Sequence, residues 1–385
     1  MKIETLEISS LAYGGSGIGR LADGRVCFVR GALPKEKVSV KITAEKKRFS
    51  TGEIIEILHP SPNRITPDCP LYGQCPGCAY MHCDYQTEIF WKDRQLRDFL
   101  VRNNSADESV ILDPVPSPAR YFYRNKLTLH GCGQEAGYYA LDNKTIIPVK
   151  RCLLAQEKIN ALLPQKTDDR ILLRATAKDG AMQISSSLPV ILHETIPGAG
   201  EFMVDGEGFF QVNLPVAAEL LALVIKSVSD DGGKELLELY CGVGVFSIAL
   251  AEKIPDLYCT GIELNKKAID FAVKNAALHG TAGRCRFFAQ DAGKKLAKYR
   301  NRRDLILLLD PPRGGIGKNT LTKIMAINAH KIIYISCAAD TLARDLKELI
   351  SGGYRVESSR LLDMFPCTAH FETLTVLTRD FNATE

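Results

Sequence analysis

Apolar and polar positions alternate along the first part of the chain. "KIETLEISSL", "GIGRLADGRVCFVRG", "EKVSVKITAEKK" and "STGEIIEIL" carry apolar or β-branched residues at every second position, with Asp23-Gly24 as a hairpin turn. This predicts a small β-barrel over residues 1–58. "GGSGIGR" invites a nucleotide-loop reading, but strand alternation rather than helical spacing follows it, so it reads as a turn. "HPSPNRITPDCP" breaks the pattern with Pro60, Pro62, Pro67 and Pro70 and reads as a linker. "DYQTEIFWKDRQLRDFLVRN" then has helical spacing, with Ile89, Leu96, Phe99 and Leu100 on one side. From 120 to about 205 short strands return in "YRNKLTLHG", "AGYYALDNKTIIPV" and "RILLRATAKDGAMQISSS", with turns at Asp142-Asn143 and Lys178-Asp179-Gly180. Residues 59–205 are therefore expected to form a central, mainly-β domain.

From about 215 the rhythm becomes strand and helix in alternation. "KELLELY", "LYCTGIEL", "RCRFFAQ", "DLILLLD" and "KIIYIS" read as strands, and "KKAIDFAVKNAALHG" as a helix with Asn265 as N-cap and Gly280 beyond its end. This order predicts an open parallel α/β sheet over residues 206–385.

In such sheets ligands bind beyond the carboxyl ends of the strands. The first strand runs into "ELYCGVGVFS", where Gly242 and Gly244 permit a tight turn. A dinucleotide fingerprint would place a third glycine where Ser247 stands. Glu263 closes the second strand and is placed for ribose hydroxyls; Asp291 closes the third and could face an adenine amino group. Asp310 closes the fourth, ahead of Pro311-Pro312. With Glu238, these acids suit a cofactor with a ribose and a cationic centre better than a polyphosphate; S-adenosylmethionine fits. Acids also cap helices after strands in any α/β domain, so each one alone says little.

The composition is that of a soluble globular protein, with 385 residues, 45% hydrophobic and 24% charged. No apolar run is long enough for a membrane span, and "MKIETLEISS" lacks a signal core, so a cytoplasmic location is expected. In a reducing compartment the 12 cysteines point to metal or catalysis rather than disulfides. Cys69, Cys75 and Cys78 cluster in "CPLYGQCPGC", with Cys152 far along the chain and Cys83 a nearer rival as fourth ligand. The uneven spacing suits an iron–sulfur cluster better than a zinc ribbon. The net charge of +4 is compatible with an RNA partner, and a monomer is expected. Cys337, at the edge of "IIYIS", is by position alone either a buried filler or a nucleophile.

"ELYCGVGVFS", "LLLDPPRGG", "IIYISCAADTLARDL" and "LLDMFPCTAHFETLTVL", with "GEGFFQVN" and "YRNK" upstream, resemble the successive motifs of the RNA uracil-5-methyltransferases. The N-terminal barrel looks like a TRAM domain. The resemblance implies a Rossmann-like class I methyltransferase domain. It further implies that Cys337 adds to carbon 6 of uracil, activating carbon 5 for methylation, and that Glu372 then removes the carbon 5 proton. The helix after Cys337 is expected to lower its pKa. By the same resemblance Asp310 contacts the pyrimidine edge or the methyl donor. Gln211 touches the cofactor, Tyr240 lines its pocket, and Phe209 or Phe210 lies near the substrate base. His370 and Arg313 are neighbours without an assigned role.

Cluster-bearing members show the three-plus-one cysteine pattern, which implies a [4Fe–4S] cluster on Cys69, Cys75, Cys78 and Cys152. Arg124 and Lys126 of "YRNK" and the barrel's "KKRFS", with Phe49, are the expected contacts to ribosomal or transfer RNA. In one respect the chain departs from the pattern: Ala338-Ala339 replace the usual Asn-Pro. This leaves open a second reading, an RNA-binding homologue that kept the fold and lost activity. Methylation of an amino group is a third, disfavoured by Arg313 after the Pro-Pro pair and by the paired Cys and Glu.

Overall fold

The computed structural model describes residues 2–131, 135–163, 170–185, 188–294 and 296–379. Strands β1 (Ile3–Glu7), β2 (Ser10–Leu11), β3 (Gly17–Arg20), β4 (Val26–Arg30), β5 (Lys37–Glu45) and β6 (Phe49–His59) form one sheet in the order β1-β5-β6-β4-β3-β2. Alternation sets its inside: Cys27 and Val29 of β4 meet Leu6, Val38 and Val40 in a buried core. The sheet curls until β3 meets β1, where a Cβ at Gly19 would lie 3.1 Å from Leu6 Cβ.

The 69–83 loop leads into helix α1 (Tyr85–Arg102), whose first turn is capped by Asp84 accepting from the Thr87 amide at 2.7 Å. Its buried face carries Glu88, Lys92 and Gln95 as well as Leu96 and Leu100, whereas the spacing predicts an apolar stripe. Ile89 and Phe99 are only half-buried. The Lys92 ammonium donates to Glu88 at 2.8 Å and Asp363 at 2.7 Å, so the helix buries a satisfied ion network.

Strands β7 (Lys126–His130), β8 (Gly137–Tyr139) and β9 (Ile146–Pro148), the short helix α2 (Glu157–Asn160), and strands β10 (Arg170–Thr176) and β11 (Gly180–Ile184) follow. The strands pair antiparallel in the order β11-β10-β7-β8-β9. The turns turn where expected, at Asn143 and Gly180, both with positive φ. A hairpin of β12 (Ile191–Ile196) and β13 (Gly200–Asp205) packs its Leu192, Phe202 and Val204 into the core of the C-terminal part.

That part comprises α3 (Leu214–Ser229), β14 (Glu235–Leu239), α4 (Val245–Lys253), β15 (Tyr258–Glu263), α5 (Lys266–Leu278), β16 (Cys285–Ala289), β17 (Leu305–Leu309), α6 (Lys318–Met325), β18 (Lys331–Ser336), α7 (Ala339–Ser351), β19 (Arg355–Leu362) and β20 (Glu372–Thr378). Its seven-stranded sheet runs β16-β15-β14-β17-β18-β20-β19, with β20 antiparallel to its neighbours. Every residue of β17 and β18 is buried, as expected of strands covered on both faces. Asn265 caps α5, accepting from the Lys267 amide at 3.0 Å. The chain order reverses at β14, which opens a crevice at the carboxyl end of the sheet.

Candidate active site

A cavity of about 560 Å³ lies at that switch point, walled by Phe209, Phe210, Gln211, Tyr240, Gly242 and Asp310 among others. Tyr240, Gly242 and Gly244 all have positive φ, at 67°, 53° and 84°, and turn the chain sharply from β14 into α4. The Gly242 amide donates to Glu263 at 3.3 Å, and the Asn265 amide donates to the same carboxylate at 2.8 Å. Asp291 is exposed and accepts from the Gly293 amide at 2.9 Å. Glu263 and Asp291 thus stand at the ends of neighbouring strands but outside the wall of this cavity.

Glu238 departs from the strand-tip reading. It is buried within β14 and accepts from both the amide and the hydroxyl of Ser247. Burial holds its carboxyl up at about 8. The serine that breaks the glycine fingerprint is therefore the donor that accommodates this acid.

Strand pairing brings Cys337 and Glu372 together. Ser336 of β18 lies opposite Thr373 of β20, and the Thr373 hydroxyl donates to the Ser336 carbonyl at 3.0 Å. Cys337 follows β18 and Glu372 opens β20, so the two leave the sheet side by side. Burial and then the Glu372 charge push the Cys337 thiol up to about 11, against a hydrogen bond from Arg313 and the charge of its guanidinium. The helix N-terminus was expected to lower this thiol; a partly buried position next to two acids outweighs it. Burial, then Asp310, raises the Glu372 carboxyl well above the usual range, again with Arg313 opposing. Burial, with a contribution from Glu263, sets Asp310 at about 7. His370 is pushed down to about 4 by burial and by Arg313, so it is neutral near pH 7. Arg313 is thus the cation common to Cys337, Glu372 and His370.

Cys69, Cys75, Cys78 and Cys152 line a second cavity of about 370 Å³, together with Tyr72 and Tyr138. Burial pushes the Cys69, Cys75 and Cys78 thiols up. Cys83 points elsewhere: it is fully buried beside Leu11 and Leu33, and its thiol donates to the Tyr80 carbonyl at 3.2 Å. Among the described residues, no three His, Cys, Asp or Glu side chains gather closely enough to hold a single metal ion.

Comparison with known proteins agrees with this geometry. Residues 200–380 match the tRNA (uracil-5-)-methyltransferase family and residues 2–55 match the TRAM domain. An uncharacterized RNA methyltransferase of Bdellovibrio bacteriovorus is 31% identical, with 97% of this chain and 95% of the relative covered. One of Aquifex aeolicus is 30% identical, with 97% of each covered. The chain belongs to the RNA uracil-5-methyltransferase family. It is an enzyme, an S-adenosylmethionine-dependent RNA methyltransferase. The fold also matches the crystal structure of Pyrococcus abyssi tRNA (uracil-54, C5)-methyltransferase in complex with S-adenosyl-L-homocysteine. That match has a TM-score of 0.73 and 20% identity, and covers 97% of this chain and 100% of the other. Among the described residues no helix is long and apolar enough to cross a membrane.

In this methyltransferase the loop over the β14 cavity is held from the central sheet. Lys126 donates to the Gly208 carbonyl at 3.1 Å, and burial with Arg174, Arg170 and Arg124 brings its ammonium down to about 8. Arg124 donates to the Lys126 carbonyl at 3.0 Å. Both cations expected at the RNA are thus engaged by backbone. Arg174 escaped the sequence reading: it is buried, donates to Gly206 and Gly208 at 3.2 and 3.1 Å, and pairs with Glu194 at 2.6 Å. An arginine inside the otherwise apolar "ILLRA" run was the available signal. The held loop separates the two phenylalanines. Phe210 is 3% exposed and packs near Phe202, while Phe209 is 74% exposed at the cavity mouth.

Proposed function

We propose that this enzyme transfers a methyl group from S-adenosylmethionine to carbon 5 of a uridine in ribosomal or transfer RNA, through a covalent Cys337 adduct. The observation that carries the reading is the placement of Cys337 and Glu372 side by side at the end of paired strands. Bound in the β14 cavity, the cofactor supplies an electrophilic methyl on a sulfonium. Gln211, Tyr240, Gly242, Gly244 and Asp310 would hold it, with Glu263 and Asp291 bordering the site.

Cys337 loses its thiol proton to solvent, its sulfur bonds to carbon 6, and the carbon 5–carbon 6 electron pair moves out as the enolate. Carbon 5 takes the methyl, and the sulfonium keeps the bonding pair. Glu372, acting as the carboxylate, accepts the carbon 5 proton; the freed pair rebuilds the double bond and expels the Cys337 thiolate. Phe209, exposed at the mouth, provides a stacking face for a splayed-out base. RNA transcribed with 5-fluorouridine tests this. With S-adenosylmethionine it should give a stable protein–RNA adduct, lost in Cys337→Ser. An active preparation that gives none would overturn Cys337 as nucleophile.

The second cavity suits a [4Fe–4S] cluster held by Cys69, Cys75, Cys78 and Cys152. Four thiols on one apolar wall fit a group presenting several metal ions, one per thiolate, better than a single ion that asks its donors to converge. When bound, the cluster supplies a covalent tie between the 69–78 loop and Cys152.

A further inference from the structure

We propose that Thr341 and Asp345 of α7 are positioning residues of the reaction. They latch the turn that carries Arg313 onto the helix that follows Cys337. This rests on the reading of Cys337 as the nucleophile.

Residues 310–317, between β17 and α6, form neither helix nor strand. The Gly315 amide donates to the Pro312 carbonyl at 2.8 Å and closes a turn with Arg313 and Gly314 exposed at its tip. Two adjacent glycines leave such a turn free to swing unless something outside it holds it.

Helix α7 supplies that hold. The Thr341 hydroxyl lies 3.2 Å from the Arg313 carbonyl and 3.1 Å from the Ala338 carbonyl, so its proton is shared between them. One hydroxyl joins the Arg313 backbone to the residue directly after Cys337. The Arg344 guanidinium donates to the Gly314 carbonyl at 3.0 Å, and Asp345 accepts from the Ile316 amide at 2.8 Å. Residues 341, 344 and 345 lie on one face of a helix. They meet Arg313, Gly314 and Ile316 in chain order.

Asp345 anchors that face. It is buried, and the oxygen that meets Ile316 also accepts from the Tyr334 hydroxyl of β18 at 2.7 Å. A buried carboxylate persists only with such donors, and these fix β18, α7 and the turn to one another. Cys337 is the first residue beyond β18. The approach is close: a Cβ at Gly315 would lie 2.6 Å from Asp345 Oδ2 and 2.5 Å from Arg344 Nη2. The second glycine of "PPRGG" is required by this docking as well as by its φ of 69°. A cation held at a fixed place beside Cys337 stabilises the thiolate and the enolate that follows, and a turn that swings away loses that effect.

A double-mutant cycle on the full chain tests this. The readout is labelled methyl transfer from S-adenosylmethionine to unmodified ribosomal and transfer RNA transcripts, all at saturation. Thr341→Val keeps the shape and removes the donor. It should slow transfer about fivefold, and Thr341→Ser should restore it. Gly315→Ala, which forces the turn away from Asp345, should slow transfer at least as much. Arg313→Ala should itself be slower, and in that background neither change should slow transfer further. Losses that multiply in both backgrounds would mark a merely structural role and overturn the proposal. So would a full rate in Thr341→Val or in Arg313→Ala, or no recovery with serine. Normal transfer by Cys337→Ser would instead bring down the nucleophile reading, and the same cycle would still decide the latch.

Discussion

Lys92 and Asp363 meet at 2.7 Å with neither side chain exposed, although 271 residues separate them. Lys92 also donates to Glu88 and to the Phe365 carbonyl, while the Cys367 amide donates to Glu88 at 2.6 Å. The segment between β19 and the Glu372 end of β20 is thereby fastened to α1. Cys367 itself holds φ at 66° and accepts from the Ala79 and Tyr80 amides, beside the cysteine loop. Lys92→Met would leave Asp363 buried without its cation and Glu88 with Arg120 alone. It should cost about 3 kcal/mol, read as a lower denaturation midpoint. A variant as stable as the unaltered chain would show that the network contributes nothing net.

The Cys337 thiol, set at about 11, is almost wholly protonated at neutral pH. Alkylation needs the thiolate, so its rate should climb about tenfold per unit between pH 7 and 9 without a plateau. Arg313→Ala removes the cation that opposes burial and Glu372. It should lower the rate at every pH in that range. A plateau below pH 9 would show that the thiol is more acidic than its surroundings allow.

Glu238 gives a stability signature. Its folded carboxyl is raised to about 8 from the ordinary 4.5. Between those values the folded state binds more protons than the unfolded one, so stability falls as pH rises through this window. Glu238→Gln cannot ionise and keeps acceptor capacity for Ser247. Relative to the unaltered chain it should gain stability from pH 5 to pH 8, measured as the difference in unfolding free energy. A constant difference would mean that Glu238 is ionised throughout.

These effects mark where sequence reading stops. The barrel and the parallel sheet were legible because period-two alternation and the strand–helix rhythm are local patterns. The β14 turn was legible from its glycines at a strand end, while Cys337 and Glu372 were singled out through motif resemblance rather than local pattern. The inner face of α1 was not: Glu88 and Lys92 at helical spacing look solvated until Asp363 arrives from the far end of the chain. The thiol shift failed for the same reason, since a helix N-terminus is visible locally and the burial is tertiary. The bond from Lys126 to the Gly208 carbonyl was not legible either, because that loop is distant in sequence.

The second cavity makes a prediction independent of methylation. Protein purified without oxygen should contain iron and sulfide and absorb visible light, and Cys75→Ser should lose both signals. A colourless protein loaded with zinc would refute the cluster. Ala79 and Tyr80 follow Cys78 directly and bond the Cys367 carbonyl. Loss of metal should therefore also raise the protease sensitivity of the 363–371 segment.

Glu372→Gln separates the two halves of the proposed reaction. The carboxyl is buried, and an amide of the same shape fills its place. Cys337 can still add to carbon 6, and carbon 5 can still take the methyl. What is lost is the acceptor for the carbon 5 proton, so the thiolate is not expelled. With ordinary uridine RNA and methyl-labelled cofactor, labelled RNA should remain joined to the protein on a denaturing gel, and turnover should fall by about 10²- to 10⁴-fold. Free methylated RNA at the normal rate would take the base role from Glu372. Loss of methylation without any adduct would instead assign Glu372 to the addition step.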